Sequence, residues 1–385
     1  MSESQSEERI SLIIKAADSI TEIFLVDNNF QRVDSGIGQL ETVVIPGIYK
    51  ARFRAGQHQV DQFIAVEAGA VSKTVSGPPV EFATSAPLPQ TSSNRQVHQD
   101  AAQEYSQTIN LIKGNGSELY LFIRSLADEP SRPWLGVSLH DTKGNLLARA
   151  VEGTCDAQNG FCALNIEVNP GTYRLRVEEE PGEIYEMFVV TAAGWQTQVF
   201  ALAEDAWLPG IDACRAALPT ASVFMAEAGK GFDPSNPVNR QTDLIRQGLL
   251  NGRHTLSQDT AKLLLKAQGQ NPMLVILALH LLMQQDVTDY ESINNILENI
   301  ENPLVFHPDI QALLLHKKTI DSQFILGFPS PPMLSSSWQF IVQANSLRRA
   351  VMPQYSLSEQ VADGILNTSL WLIHRLTGQD KQFCC

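Results

Sequence analysis

One turn-and-strand unit occurs twice in this chain. Val44-Ile45-Pro46-Gly47-Ile48-Tyr49-Lys50-Ala51-Arg52 returns as Val168-Asn169-Pro170-Gly171-Thr172-Tyr173-Arg174-Leu175-Arg176. Proline presets φ and glycine tolerates positive φ, so Pro-Gly specifies a β-turn. The alternation after it places Tyr49, Ala51 and Phe53 on one face and Lys50, Arg52 and Arg54 on the other. That is the pattern of a half-buried strand, and its repetition points to an internal duplication.

The surroundings of the two units run in the same order. In the first module, from about Arg9 to Gly77, Ile10, Leu12 and Ile14 open a strand. Glu22 to Val26 then meets an Asp27-Asn28-Asn29 turn, the Pro-Gly unit follows, and Gln62 to Val66 leads to Ala68-Gly69. In the second, from about Ser117 to Leu202, Leu119, Leu121 and Ile123 take the opening role. Val137 to His140 leads to the turn Asp141 to Asn145, and Met187 to Val190 leads to Ala193-Gly194. Phe63-x-x-Val66-x-x-Gly69 matches Phe188-x-Val190-x-x-x-Gly194 approximately, and the loop Glu152 to Gly160 lengthens the second copy. Short extended runs with frequent turns predict antiparallel β-sandwiches.

Between the modules, Pro78-Pro79, Pro87, Pro89 and Thr91-Ser92-Ser93-Asn94 predict an exposed linker, with a short helix from Arg95 to Ile109. After Ala203 the periodicity changes. Helices are expected at Ser222–Ala228, Thr242–Leu250, Gln258–Lys266, Met273–Gln285, Tyr290–Ile300, from His307-Pro308-Asp309 to Lys317, Met333–Leu347 and Leu357–Leu376. Asn271 caps the fourth of these with Pro272 at its first position, and its nearly all-apolar surface places it centrally. The expected fold is therefore multidomain, β then α: a β-sandwich at 1–79, a linker with a short helix at 80–116, a second β-sandwich at 117–203 and an all-α helical bundle domain at 204–385.

The net charge of −14 disfavours nucleic acid as a partner. The basic pairs Lys317-Lys318 and Arg348-Arg349 are too short to change this. The N-terminal residues lack a secretory pattern, and no apolar run is long enough to span a bilayer. A cytoplasmic protein with free thiols is the expectation for its five cysteines.

No catalytic, cofactor-binding or metal-binding residues are assigned. Ala228-Gly229-Lys230-Gly231-Phe232 lacks the spacing of a phosphate loop, and Gly229 is expected to end a helix. Asp233 to Pro237 lacks the calcium-loop pattern and is expected to be a turn. Cys155 and Cys162 are expected to face each other across a hairpin. His280 is expected to be a satisfied core histidine, and His307 a residue at a helix start. Cys384-Cys385 is expected to be a frayed end.

Through Pro-Gly-x-Tyr-x-x-Arg, the β modules resemble carboxypeptidase-regulatory and immunoglobulin-like sandwiches, which implies a structural or recognition role. Ser222-Val223-Phe224-Met225-Ala226, Gly231-Phe232-Asp233-Pro234, Asn271-Pro272-Met273-Leu274, His307-Pro308-Asp309 and Pro332-Met333-Leu334-x-x-x-Trp338 resemble an uncharacterised bacterial C-terminal region. That resemblance implies association with caspase-like proteases in bacterial conflict systems, and it supplies no catalytic residues. The chain is expected to be a non-enzymatic interaction or scaffold protein, an adaptor or target in a protease-based defence system, with a protein partner such as a protease. The alternatives are a structural subunit of a larger assembly and a hydrolase in the helical domain.

Overall fold

Each Pro-Gly turn joins two strands, and around each turn the strands pair in corresponding order, as one seven-stranded sheet in the first module and as two separate sheets in the second. The computed structural model describes residues 8–179, 183–204, 215–252, 271–284, 290–298, 300, 304–318, 327–348, 350–366 and 369–376. The helix expected at Gln258–Lys266 and the terminal Cys384-Cys385 lie outside these.

The first module contains β1 (Ile10–Lys15), β2 (Glu22–Val26), β3 (Arg32–Ile37), β4 (Gln39–Val44), β5 (Gly47–Ala55), β6 (His58–Val66) and β7 (Ser72–Ser76). They pair in the order β6-β5-β2-β3-β4-β1-β7. The second contains β8 (Leu111–Ile112), β9 (Ser117–Arg124), β10 (Val137–His140), β11 (Leu146–Arg149), β12 (Thr154–Asp156), β13 (Phe161–Val168), β14 (Gly171–Glu179), β15 (Glu183–Thr191) and β16 (Trp195–Glu204).

β1 runs antiparallel to β4 and parallel to β7, as β9 does to β13 and β16. β2 lies between β3 and β5, as β10 lies between β11 and β14. β5 pairs with β6 as β14 pairs with β15. The inserted β12 pairs with β13, where Cys155 and Cys162 stand opposite each other and form a disulfide. The hairpin is as expected, and this pair is not free thiol.

The duplication extends to single atoms. Tyr49 donates its hydroxyl to the Ile45 carbonyl at 2.9 Å, and Tyr173 donates to the Asn169 carbonyl at 2.6 Å. Asp27 Oδ1 accepts the Asn29 and Gln31 amides, both at 2.8 Å. Asp141 Oδ1 accepts the Lys143 and Asn145 amides, also at 2.8 Å. Cross-strand register equates Phe63 with Phe188, because each faces the residue three beyond its Pro-Gly glycine. The same register equates Val66 with Thr191 rather than Val190.

Neither Gly47 nor Gly171 has positive φ; each begins a strand in extended backbone, and positive φ falls instead on Gly69 (85°) and Gly194 (78°). The Pro-Gly glycines are thus not forced by backbone conformation.

Two segments expected to be wholly helical contain strands. Ser222–Glu227 forms β18, antiparallel to β16, after a short β17 (Arg215–Ala216). Its first four residues are buried, and a short, continuous apolar run fits a doubly covered strand as well as a helix. Gly229, at φ 80°, accordingly belongs to a turn closed by the Lys230 amide on the Glu227 carbonyl, not to a helix end. Leu357–Leu376 is a short helix (Leu357–Val361) followed by β19 (Ile365–Leu366) and β20 (Ile373–Leu376). β20 extends the second module's sheet by pairing with β15.

Among the described residues the helices are α1 (Gln96–Tyr105), α2 (Pro237–Leu250), α3 (Pro272–Met283), α4 (Tyr290–Glu298), α5 (Pro308–Lys318), α6 (Ser335–Leu347) and α7 (Leu357–Val361). They lie mainly in the C-terminal half, after the sheets, as expected, but the region from 204 onward is not all-α. Asn271 caps α3: its Oδ1 accepts the Met273 amide, and every residue from Pro272 to Leu282 is buried. Its Oδ1 also accepts the Met225 amide of β18, and its Nδ2 donates to Asn239 and Thr242 of α2. One side chain therefore fastens two helices to the sheet. Asp309 does similar work, accepting the amides of Met333 and Leu334 at 3.0 and 2.9 Å.

The linker is packed rather than exposed. Val80, Phe82, Ala86 and Leu88 are buried. Arg124 of β9, itself fully buried, donates to the carbonyls of Ser85, Ser93, Thr84 and Ala86. Arg240 of α2 donates to the Val80 and Gln90 carbonyls and stacks on Phe82. Proline-rich segments lack ladder partners, and here side-chain donors supply them.

Candidate functional site

His280 is buried in α3 and bonds Ser336 Oγ through Nδ1 at 2.9 Å and Ser337 Oγ through Nε2 at 3.0 Å. A serine–histidine pair needs a third group to orient the base and an open approach for substrate. Here both ring nitrogens are occupied by serines, and His280 is only 1% exposed. Burial pushes its pKa down to about 4, so the ring is neutral at pH 7. It is a satisfied core histidine, as expected. His307 precedes α5 and accepts the Asp309 amide on Nδ1, which places it at a helix start. Asp233 to Asn236 is a turn, as expected, and Pro237 already opens α2, which Asn236 caps by accepting the Val238 amide.

Ser222 Oγ donates to the buried Asp243 at 2.7 Å, and Asp243 also holds Arg246 at 2.6 Å. Ser222 in turn meets Thr84 of the linker at 3.1 Å. Burial would raise the Asp243 carboxyl, but Arg246 and the hydroxyl donors outweigh it and keep the group ionised. Sequence reasoning missed Asp243 and Arg124, because their partners are a sequence-distant serine and loop carbonyls.

The duplicated modules differ in what covers them. In the second, one outer sheet face carries Tyr120, Phe122 and Phe200 and is covered by Ala86 and Leu88 of the linker with Ala101 and Ala102 of α1. The other carries Phe188, which packs against Trp338 and Ile341 of α6 and against Leu372. Phe188 is 0% exposed. Beside it, Glu186 accepts Arg176 at 2.8 Å and His374 of β20 at 3.2 Å, with Arg174 at 3.6 Å. Burial alone would raise the Glu186 carboxyl; His374 and the two guanidinium groups hold it at about 2.

The first module repeats this constellation without its cover. Asp61 takes the place of Glu186 and holds Arg52 at 2.8 Å and Lys50 at 3.2 Å. Phe63 takes the place of Phe188 and is 75% exposed. Ile48 and Phe30 are exposed on the same side, the latter with the Lys50 ammonium 5.7 Å from its ring centre. Arg54 stacks on Phe24 at 4.7 Å and pairs with Glu22 at 2.6 Å. Phe30 is also held at φ 61°, where the second module has Gly144 at 87°. A bulky residue in that region is strained, and such strain is kept where something over-determines it. The result is an open face of aromatic and aliphatic groups edged by paired charges.

No protein-family model matches the chain, and no curated protein does. Among solved structures, the Bacillus anthracis TIE protein is 13% identical at a TM-score of 0.21, covering 48% of this chain. This chain spans 31% of that protein's length. A candidate cell-adhesion protein from Bacteroides fragilis is 8% identical at a TM-score of 0.17, covering 56% of this chain and 86% of that one.

Proposed function

We propose that this chain is a non-enzymatic interaction protein whose first module presents the sheet face around Phe63 to a protein partner. The observation that carries it is the contrast between two equivalent positions, Phe63 bare and Phe188 covered by the chain's own helices. The second module shows what such a face takes: an apolar layer over the phenylalanine and a donor beside the carboxylate. The packed body of linker, α2 and α3 is the scaffold that carries the bare module. Module and body meet where Gln57 donates to Asn251 at 2.9 Å and Gln241 to Ser19 at 3.2 Å.

A caspase-like protease, the partner class implied by the C-terminal resemblance, is the first one to test. Mixed with the purified chain, it should co-elute with wild type and with Val43→Arg, a substitution at an exposed residue of β4. It should not co-elute with Phe63→Arg, and all three proteins should melt alike. Loss of binding in Val43→Arg alone would place the contact elsewhere. Equal binding by all three would refute the Phe63 face as the docking site.

A further inference from the structure

Among the described residues β6 is an edge strand: it ends the first module's pairing order with β5 alone beside it. Its equivalent, β15, is not an edge, because β20 adds to it antiparallel, with Ile184 opposite Leu376, Glu186 opposite His374 and Met187 opposite Ile373. An unpaired edge beside an open apolar face is a template for another strand. Resting on the reading of the Phe63 face as a docking surface, we propose that its occupant is an extended segment of a partner protein that adds antiparallel to β6, as β20 adds to β15.

The register specifies the chemistry of that segment. In the second module Leu372 packs with Phe188, and His374 bonds the carboxylate of Glu186. Transferred to β6, the incoming strand places an apolar side chain against Phe63 and, two residues on, a histidine, lysine or arginine against Asp61. A further apolar residue follows opposite Gln59. The pattern is apolar-x-donor-x-apolar. Between the two outward positions lies Gln62, at the site of the core residue Met187, and its buried Oε1 has no hydrogen-bond partner.

The chain's own β20 sequence follows the pattern, so it supplies the probe. A labelled peptide reading Leu370 to Leu376, with two lysines added at each end for solubility, is titrated into the full-length protein and followed by fluorescence anisotropy. Binding is expected, and it should weaken about tenfold in Asp61→Asn, for loss of a charged hydrogen bond. Asp61→Lys and Phe63→Arg should abolish it, with melting curves confirming that each variant is folded. Two N-methylated peptides report on the backbone: one blocked at the positions of Trp371, Ile373 and Arg375, the other at Leu372, His374 and Leu376. Strand addition uses alternate amides, so one blocked peptide must lose binding and the other keep it. No binding, binding indifferent to Asp61 and Phe63 (which would mean exchange with β20 in the second module), or equal behaviour of the two blocked peptides would overturn strand addition. The face reading itself fails separately, through unchanged protein capture by Phe63→Arg.

Discussion

His280 is neutral in the fold because burial lowers its pKa from 6.5 to about 4. The unfolded chain binds a proton there below about pH 6.5, whereas the folded chain resists until about pH 4. Stability is therefore full above that window and falls as the pH drops through it, by an amount on the order of 3 kcal/mol for a shift of this size. His280→Gln should flatten the pH dependence of urea midpoints between pH 6.5 and 4, whatever its overall cost; an unchanged slope would mean that His280 does not titrate across folding. Glu186 has the same sign at lower pH, since its carboxylate is held at about 2 against an ordinary 4.5. The glycines separate backbone from packing. Gly194, at φ 78° with open space around its missing Cβ, should cost about 1–3 kcal/mol when changed to valine. Gly171, extended and equally open, should tolerate the same change within about 0.5 kcal/mol. Thermal melts of the two variants decide this, and a large loss at Gly171 would contradict the extended geometry. Phe30→Gly should raise the first module's stability by about 1 kcal/mol, by relieving its strained φ, while weakening partner capture.

Among the elements, the linker carries the clearest expectation. Its carbonyls are satisfied by a buried arginine rather than by a ladder, so Arg124→Met should cost more than about 3 kcal/mol by leaving several of them without donors. Brief trypsin digestion should leave wild type intact at Arg95, which is tied to the Leu126 and Ala127 carbonyls, and should cut there in the variant. Early cleavage of wild type at Arg95 would restore the exposed tether that its prolines predict. The same elements show how far sequence reaches. Alternation and Pro-Gly turns made the two β modules and their equivalence legible, because period and turn chemistry are local. Asn271-Pro272 made the start of α3 legible for the same reason. β18 reads as helix because a continuous apolar run carries no period, and β20 because four residues are too few to show one; only the neighbouring β16 and β15 decide them. Nothing near Arg124 in sequence reveals that the linker returns to it.

At the scale of the whole molecule, one duplicated unit is used in two ways. The second copy is wrapped on both faces by the linker, α1 and the C-terminal helices, and its sheet is extended by β20. The first copy keeps corresponding strand pairings, and among the described residues its outer face and β6 edge are open. The candidate surface was legible only in part: the Phe63–Phe188 match was visible in the repeat, but that one is covered and the other bare depends on where distant helices pack. The most direct test is amide hydrogen exchange of the isolated chain, comparing β6 with β15. The account predicts that the inner strands of both modules are protected, while edge amides of β6 between Gln59 and Phe63 exchange at least about a hundredfold faster than their equivalents between Ile184 and Phe188. Equal protection of the two strands would mean that β6 is already covered, and would contradict an open docking face.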